Sequence, residues 1–142
     1  MDSIVGTWLL KSMERRYADG RTVKPLGDVP VGRLTYTADG YMQAILMPGN
    51  RARFASGDIY GTPEERVEGA NHFVSYAGRY EVRGDVVYHY PDVSFFPNWE
   101  GAELHRNAKL DGDRLILSTE PEKAGGGVSA AFLVWRRRTE GN

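Results

Sequence analysis

The chain has no cysteine among its 142 residues. That removes disulfide staples, thiolate metal ligands and a cysteine nucleophile together. Histidine is scarce as well: His72, His89 and His105 are the three present, no two stand at a ligand-like spacing, and no metal site is expected. Charge of one sign is also missing. Eighteen Lys and Arg against nineteen Asp and Glu leave a net charge of -1, so there is no basic field to neutralise phosphates or anionic lipid, and neither nucleic acid nor membrane is an expected partner. Nowhere do 18 apolar residues run together, and the start Met1-Asp2-Ser3-Ile4 has no basic segment followed by an apolar one. Neither a spanning helix nor a secretion signal is expected, and a cytoplasmic address is the default. Gly-x-Ser-x-Gly, His-Glu-x-x-His and dinucleotide fingerprints are absent, and Gly125-Gly126-Gly127 lacks the lysine and the strand-to-helix context of a phosphate loop. No cofactor is expected.

What is there is a composition 41% hydrophobic and 26% charged, ordinary for a folding chain, at a length suited to one domain over 1–142. Short apolar or alternating runs separated by turn residues recur from end to end, the mark of an antiparallel all-β barrel or sandwich. Ile4 to Arg15 reads as a first strand, turned at Asp19-Gly20. Gly32 to Thr37 and Tyr41 to Met47 form a hairpin about Ala38-Asp39-Gly40, Tyr76 to Arg83 and Val86 to Val93 another about Gly84-Asp85, and Ala102 to Leu110 and Arg114 to Thr119 a third about Asp111-Gly112-Asp113. Val128 to Arg137 is the last strand. Pro48 to Gly61 is a long irregular excursion, and Thr62-Pro63-Glu64-Glu65 opens one helix running to about Phe73. Eight to ten strands of this kind close into a barrel just wide enough for side chains or one small ligand, and closure removes the exposed edges.

Gly6-Thr7-Trp8 on the first strand and Trp135-Arg136-Arg137-Arg138 at the end of the last resemble the lipocalin and wider calycin pattern. The ordered blocks Asp19 to Arg21, Pro30 to Met42, Arg53 to Asp58, Tyr76 to Val82, Phe96 to Trp99 and Leu110 to Leu115 extend the likeness over nearly the whole chain, to the small stand-alone lipocalin-like domain proteins. The resemblance implies a closed antiparallel lipocalin-like barrel. It also implies a glycine that lets the chain bend into the barrel floor and a tryptophan covered by an arginine of the last strand. The chain departs from haem-binding relatives of such barrels, because none of its histidines lies near the C-terminus.

The candidate ligand-binding residues are Tyr36, Tyr41, Tyr80, Tyr88, His89, Asn98 and Trp99. Phenols and an imidazole on central strands orient a small, largely apolar ligand with little polarity, and an amide beside a large ring after Pro97 suits a lid. Packing alone also accounts for aromatic residues in a core of this size. The catalytic candidates are His89, Tyr88 and Glu14: an imidazole suits proton abstraction at neutral pH, although a structural or surface histidine is the commoner outcome. Glu14 shares a strand face with Trp8, Leu10 and Ser12 and is expected to reach into a barrel mouth, with Arg33, Arg79 or Arg106 as ion-pair partners. Arg51 and Arg53 on the long loop could grip a carboxylate. Two readings stand: a binder of a small apolar or aromatic metabolite, and a cofactor-independent isomerase or cyclase of polyketide or terpenoid metabolism. Oligomeric state is open, with a homodimer among the options.

Overall fold

Strands rich in Val, Tyr, Leu and Ile alternate faces along their length, so each can bury one side while the other meets water. The structure, a computed structural model, describes residues 3–139. The barrel strands are β1 (Gly6–Tyr17), β3 (Pro30–Tyr36), β4 (Tyr41–Pro48), β5 (Val74–Arg83), β6 (Val86–Ser94), β7 (Leu104–Asp111), β8 (Arg114–Ser118) and β10 (Val128–Arg137). The two-residue pieces β2 (Thr22–Val23) and β9 (Glu122–Lys123) flank them. Neighbours in the sheet are antiparallel, and β1 pairs with β10 to close the barrel. Trp8, Leu10, Leu34, Tyr36, Met42, Ala44, Leu46, Tyr76, Val87, Ala108, Leu115, Leu117 and Trp135 fill its inside.

Closure is fastened at the end where β1 begins and β10 finishes. Trp8 opposes Arg137 in the ladder and is 0% exposed; its indole N–H donates to the Ile4 carbonyl at 2.9 Å. The Arg137 guanidinium lies over the indole, 4.3 Å from the ring centroid, and donates to the carbonyls of Val5 at 2.8 Å and Ser3 at 3.0 Å. Gly6 makes room for it. Its φ of +136° is hostile to a side chain, and an added Cβ would sit 3.0 Å from Arg137 Nη1. The expected tryptophan–arginine cover is therefore present.

The one α-helix among the described residues, α1 (Pro63–Ala70), carries a capping box: Glu65 N–H donates to Thr62 Oγ1 and Thr62 N–H to the Glu65 carboxylate. Ser56 from the long loop donates to the same carboxylate at 2.7 Å, and these donors hold Glu65 down at about 2. The helix stops short of the expected Phe73, because Asn71 caps it and His72, at φ 60°, turns the chain away. Between β6 and β7, Pro97–Trp99 winds into one 3-10 turn. Among the described residues no helix is long and apolar enough to cross a membrane.

A Trp8→Ala substitution should cost about 3–5 kcal/mol of unfolding free energy, the range for emptying a large aromatic core site. Arg137→Ala should cost roughly a third of that, since it removes a stacked cation and two carbonyl hydrogen bonds but leaves no comparable void. Urea titrations of the two variants beside the parent test the ranking; a parent-like midpoint for Trp8→Ala would contradict it.

Candidate functional site

Three side chains from three strands meet in the middle of the barrel. Alternation turns Tyr36 of β3, Tyr76 of β5 and His89 of β6 inward; they are 1%, 7% and 1% exposed. Tyr36 OH lies 2.7 Å from His89 Nε2, and Tyr76 OH lies 2.9 Å from His89 Nδ1. Both ring nitrogens are thus occupied by phenols. Burial, with the nearby Arg106 charge adding to it, pulls the imidazole down to about 3, so at neutral pH it is uncharged, with one N–H donor and one acceptor nitrogen. Burial also raises both phenols, Tyr36 well above the ordinary tyrosine value.

Arg106 orders this chain of groups. On β7 it opposes Val87 of β6, on the inward face shared with Leu104 and Ala108, and its guanidinium is near enough to the Tyr76 phenol to offset part of the rise that burial causes there. Guanidinium is only a donor. A cation on that side favours the arrangement in which the Tyr76 oxygen faces Arg106 and its proton goes to His89 Nδ1. Nε2 then carries the imidazole proton and donates to Tyr36, which leaves the Tyr36 hydroxyl hydrogen free for a further acceptor. The rings form a column, with Trp99 of the 3-10 turn edge-on to Tyr76 at 5.2 Å at the mouth and Tyr80 against Tyr36 at 4.7 Å near the floor.

Of the residues expected from sequence, His89, Tyr36, Tyr80 and Trp99 belong to this column. Tyr80 sits at its end, with its hydroxyl donating to the Thr37 carbonyl at 2.7 Å. Tyr88, Tyr41, Asn98 and Glu14 lie outside it. Tyr88 alternates with His89 and so faces outward, between Arg83 and the His105 ring. Tyr41 and Asn98 are exposed. Glu14 points outward and pairs with Arg16 at 2.6 Å, because a bulge between Leu10 and Ser12 inserts Lys11 and shifts every later side chain to the other face. That shift turns Arg15 inward instead, where it meets buried Ser129 at 3.3 Å and Glu122 at 3.3 Å. Tyr76 and Arg106 complete the site although neither was a site candidate. An arginine at alternation with Leu104 and Ala108 was the available signal for the second.

A broad groove of about 1150 Å³ runs over the outer face of β1, β7, β8 and β10, between Glu14, Arg16, Ile116, Phe132 and Val134. Its Glu14 and Arg16 pair with each other toward water. Among the described residues no group of three or more acids and histidines stands ready for a metal.

The sequence profile of the lipocalin-like domain family matches residues 5–138. The chain belongs to that family. Its calycin-type barrel is a form able to enclose a small ligand. The chain is also similar to the 4'-hydroxy-3'-methoxypropiophenone carrier protein of Aspergillus oryzae, 30% identical over 102 residues, which cover 66% of this chain and 92% of that protein.

Because His89 is depressed in the fold, the unfolded chain binds its proton first as pH falls. Its contribution is complete above the unfolded value of about 6.5 and is lost as pH drops from there toward 3. From pH 7 to pH 5 the parent should lose roughly 1–2 kcal/mol more than His89→Gln, which cannot titrate. Urea unfolding at the two pH values checks this; equal losses would show that His89 is not held neutral.

Proposed function

We propose that this lipocalin-like barrel takes a small aromatic ketone of the polyketide type into its interior and moves a proton on it, as a cofactor-independent isomerase or cyclase does. One observation carries the reading: a buried imidazole with a phenol on each nitrogen and an arginine behind one phenol. A barrel that only needed filling would spare the desolvation of four polar groups by using leucine or phenylalanine. The ligand class is suggested by the relative's printed name, which describes a phenolic aryl ketone. A cytoplasmic address, and no nucleic-acid or membrane partner, go with this reading.

The relay balances without an outside acid or base. Tyr36 gives its proton to the ketone oxygen and takes the one from His89 Nε2. His89 Nδ1 takes the Tyr76 proton, and the Tyr76 phenolate, stabilised by Arg106, removes a proton from the carbon next to the carbonyl. The ketone becomes its enol, both tyrosines are phenols again, and the imidazole has changed tautomer. Return of the enol to a different carbon, or its attack on a second carbonyl of the same molecule, gives isomerisation or ring closure. Enclosure supplies the orientation such steps need.

A second reading is favoured by the word carrier in the relative's name: the barrel holds a small apolar or aromatic metabolite and leaves it unchanged.

Deuterium exchange separates the two. With 4'-hydroxy-3'-methoxypropiophenone in D2O, the protein should raise both its own melting temperature and the rate of deuteration next to the carbonyl, followed by proton NMR. Tyr36→Phe and His89→Gln should keep the melting shift and lose at least about tenfold of the exchange rate. A melting shift without exchange selects the carrier, and the absence of both removes the interior ligand.

A further inference from the structure

Among the described residues no carboxylate balances the interior cation. Arg106 has five N–H donors. Nη1 donates to the backbone carbonyl of His105 at 3.0 Å, the Tyr76 phenol is the other group near the guanidinium, and at least three N–H donors are left over. Among the described residues no Asp or Glu pairs with it, whereas the other inward arginine, Arg15, is answered by Glu122 at the barrel mouth. Arg106 nevertheless stands on the inward face of β7, between Leu104 and the buried Ala108. On the facing strand Val87 and His89 are its inward neighbours. It keeps more contact with solvent than Tyr36, Tyr76 or His89.

A guanidinium beside an apolar wall, with a free planar fork, has a preferred counterpart: a carboxylate, or the charge-equivalent pair of oxygens of an ionised 1,3-dicarbonyl. Two parallel N–H···O bonds in a partly desolvated place are worth considerably more than on an open surface. A neutral ligand of the same shape would leave the fork unanswered, and such a site discriminates against it.

We propose that Arg106 is an anion-binding site inside the barrel, and that the ligand carries an acidic group, a carboxylate or enolised 1,3-dicarbonyl, attached to its aromatic ketone. This deepens the reading of the barrel interior as a ligand site and rests on it. The ring and ketone lie along the Tyr76–His89–Tyr36 column while the acid holds to Arg106. The ion pair fixes which carbonyl faces Tyr36, so it selects the carbon that exchanges its proton.

The test uses one molecule in two charge states: 3-(4-hydroxybenzoyl)propionate and its carboxamide, titrated by calorimetry at pH 7 into the full-length protein and into Arg106→Gln and Arg106→Lys. The carboxylate should bind the parent about tenfold or more tighter than the carboxamide. The preference should vanish in Arg106→Gln and survive in part in Arg106→Lys, which keeps the charge without the fork. Arg106→Gln should melt no lower than the parent, since it removes an unpaired charge; should it fail to fold, the acid-to-amide ratio on the parent still decides. Equal affinities on the parent overturn the anion site and leave the interior ligand standing. A preference that persists in Arg106→Gln also overturns it, because the acid is then held elsewhere. Binding of neither compound to the parent overturns both.

Discussion

Nine residue pairs join β1 to β10, and that antiparallel seam is the constraint from which the interior follows. Without it the strands would form an open sheet with two edges and one wet face. With it, every inward side chain is enclosed by strands on all sides. The seam is held in register at its lower end by Arg137, which at once stacks on Trp8 and hydrogen-bonds the chain that leads into β1. Higher up, the Lys11 bulge lets β1 continue alongside β10 while exchanging its faces, and so decides that Arg15 rather than Glu14 enters the barrel.

Enclosure makes the polar column consequential. In water a histidine between two tyrosines would titrate near its ordinary value and exchange partners freely. Inside the barrel the cost of a buried charge keeps the imidazole neutral, and its two nitrogens must then play opposite roles. Arg106, beside the Tyr76 end, biases which nitrogen takes which role. The backbone accommodates the column closely: a Cβ at Gly78, between the inward Tyr76 and Tyr80, would stand 2.0 Å from the Tyr90 carbonyl, so β5 and β6 approach more tightly there than any side chain permits.

The mouth of the barrel is built differently from its floor. The floor is a packed indole under a fixed guanidinium. The mouth is a collection of loops: the long excursion tied to α1 through Ser56 and Glu65, and a 3-10 turn whose Trp99 rests edge-on against Tyr76 while Phe95 and Phe96 stay exposed. Trp99, half-buried on this short turn, closes the mouth end of the column against Tyr76.

The local pattern of the chain by itself determined the hairpins, the capped start of α1 and the pairing of Trp8 with a terminal arginine. Turn pairs such as Asp39-Gly40, a Thr-Pro-Glu-Glu helix start and period-two alternation act within a few residues, and closure must bring the chain ends together. Alternation also showed that His89 and Tyr88 face opposite ways, without saying which is inside. Only the tertiary structure decided that. Which face of β6 is buried depends on the register of eight strands around a closed ring, and on a one-residue bulge in β1 that no turn signal announces. The Tyr36–His89–Tyr76–Arg106 cluster gathers residues from four strands, as far as 70 positions apart in the chain, and hydrogen bonds between such residues leave no local pattern to read.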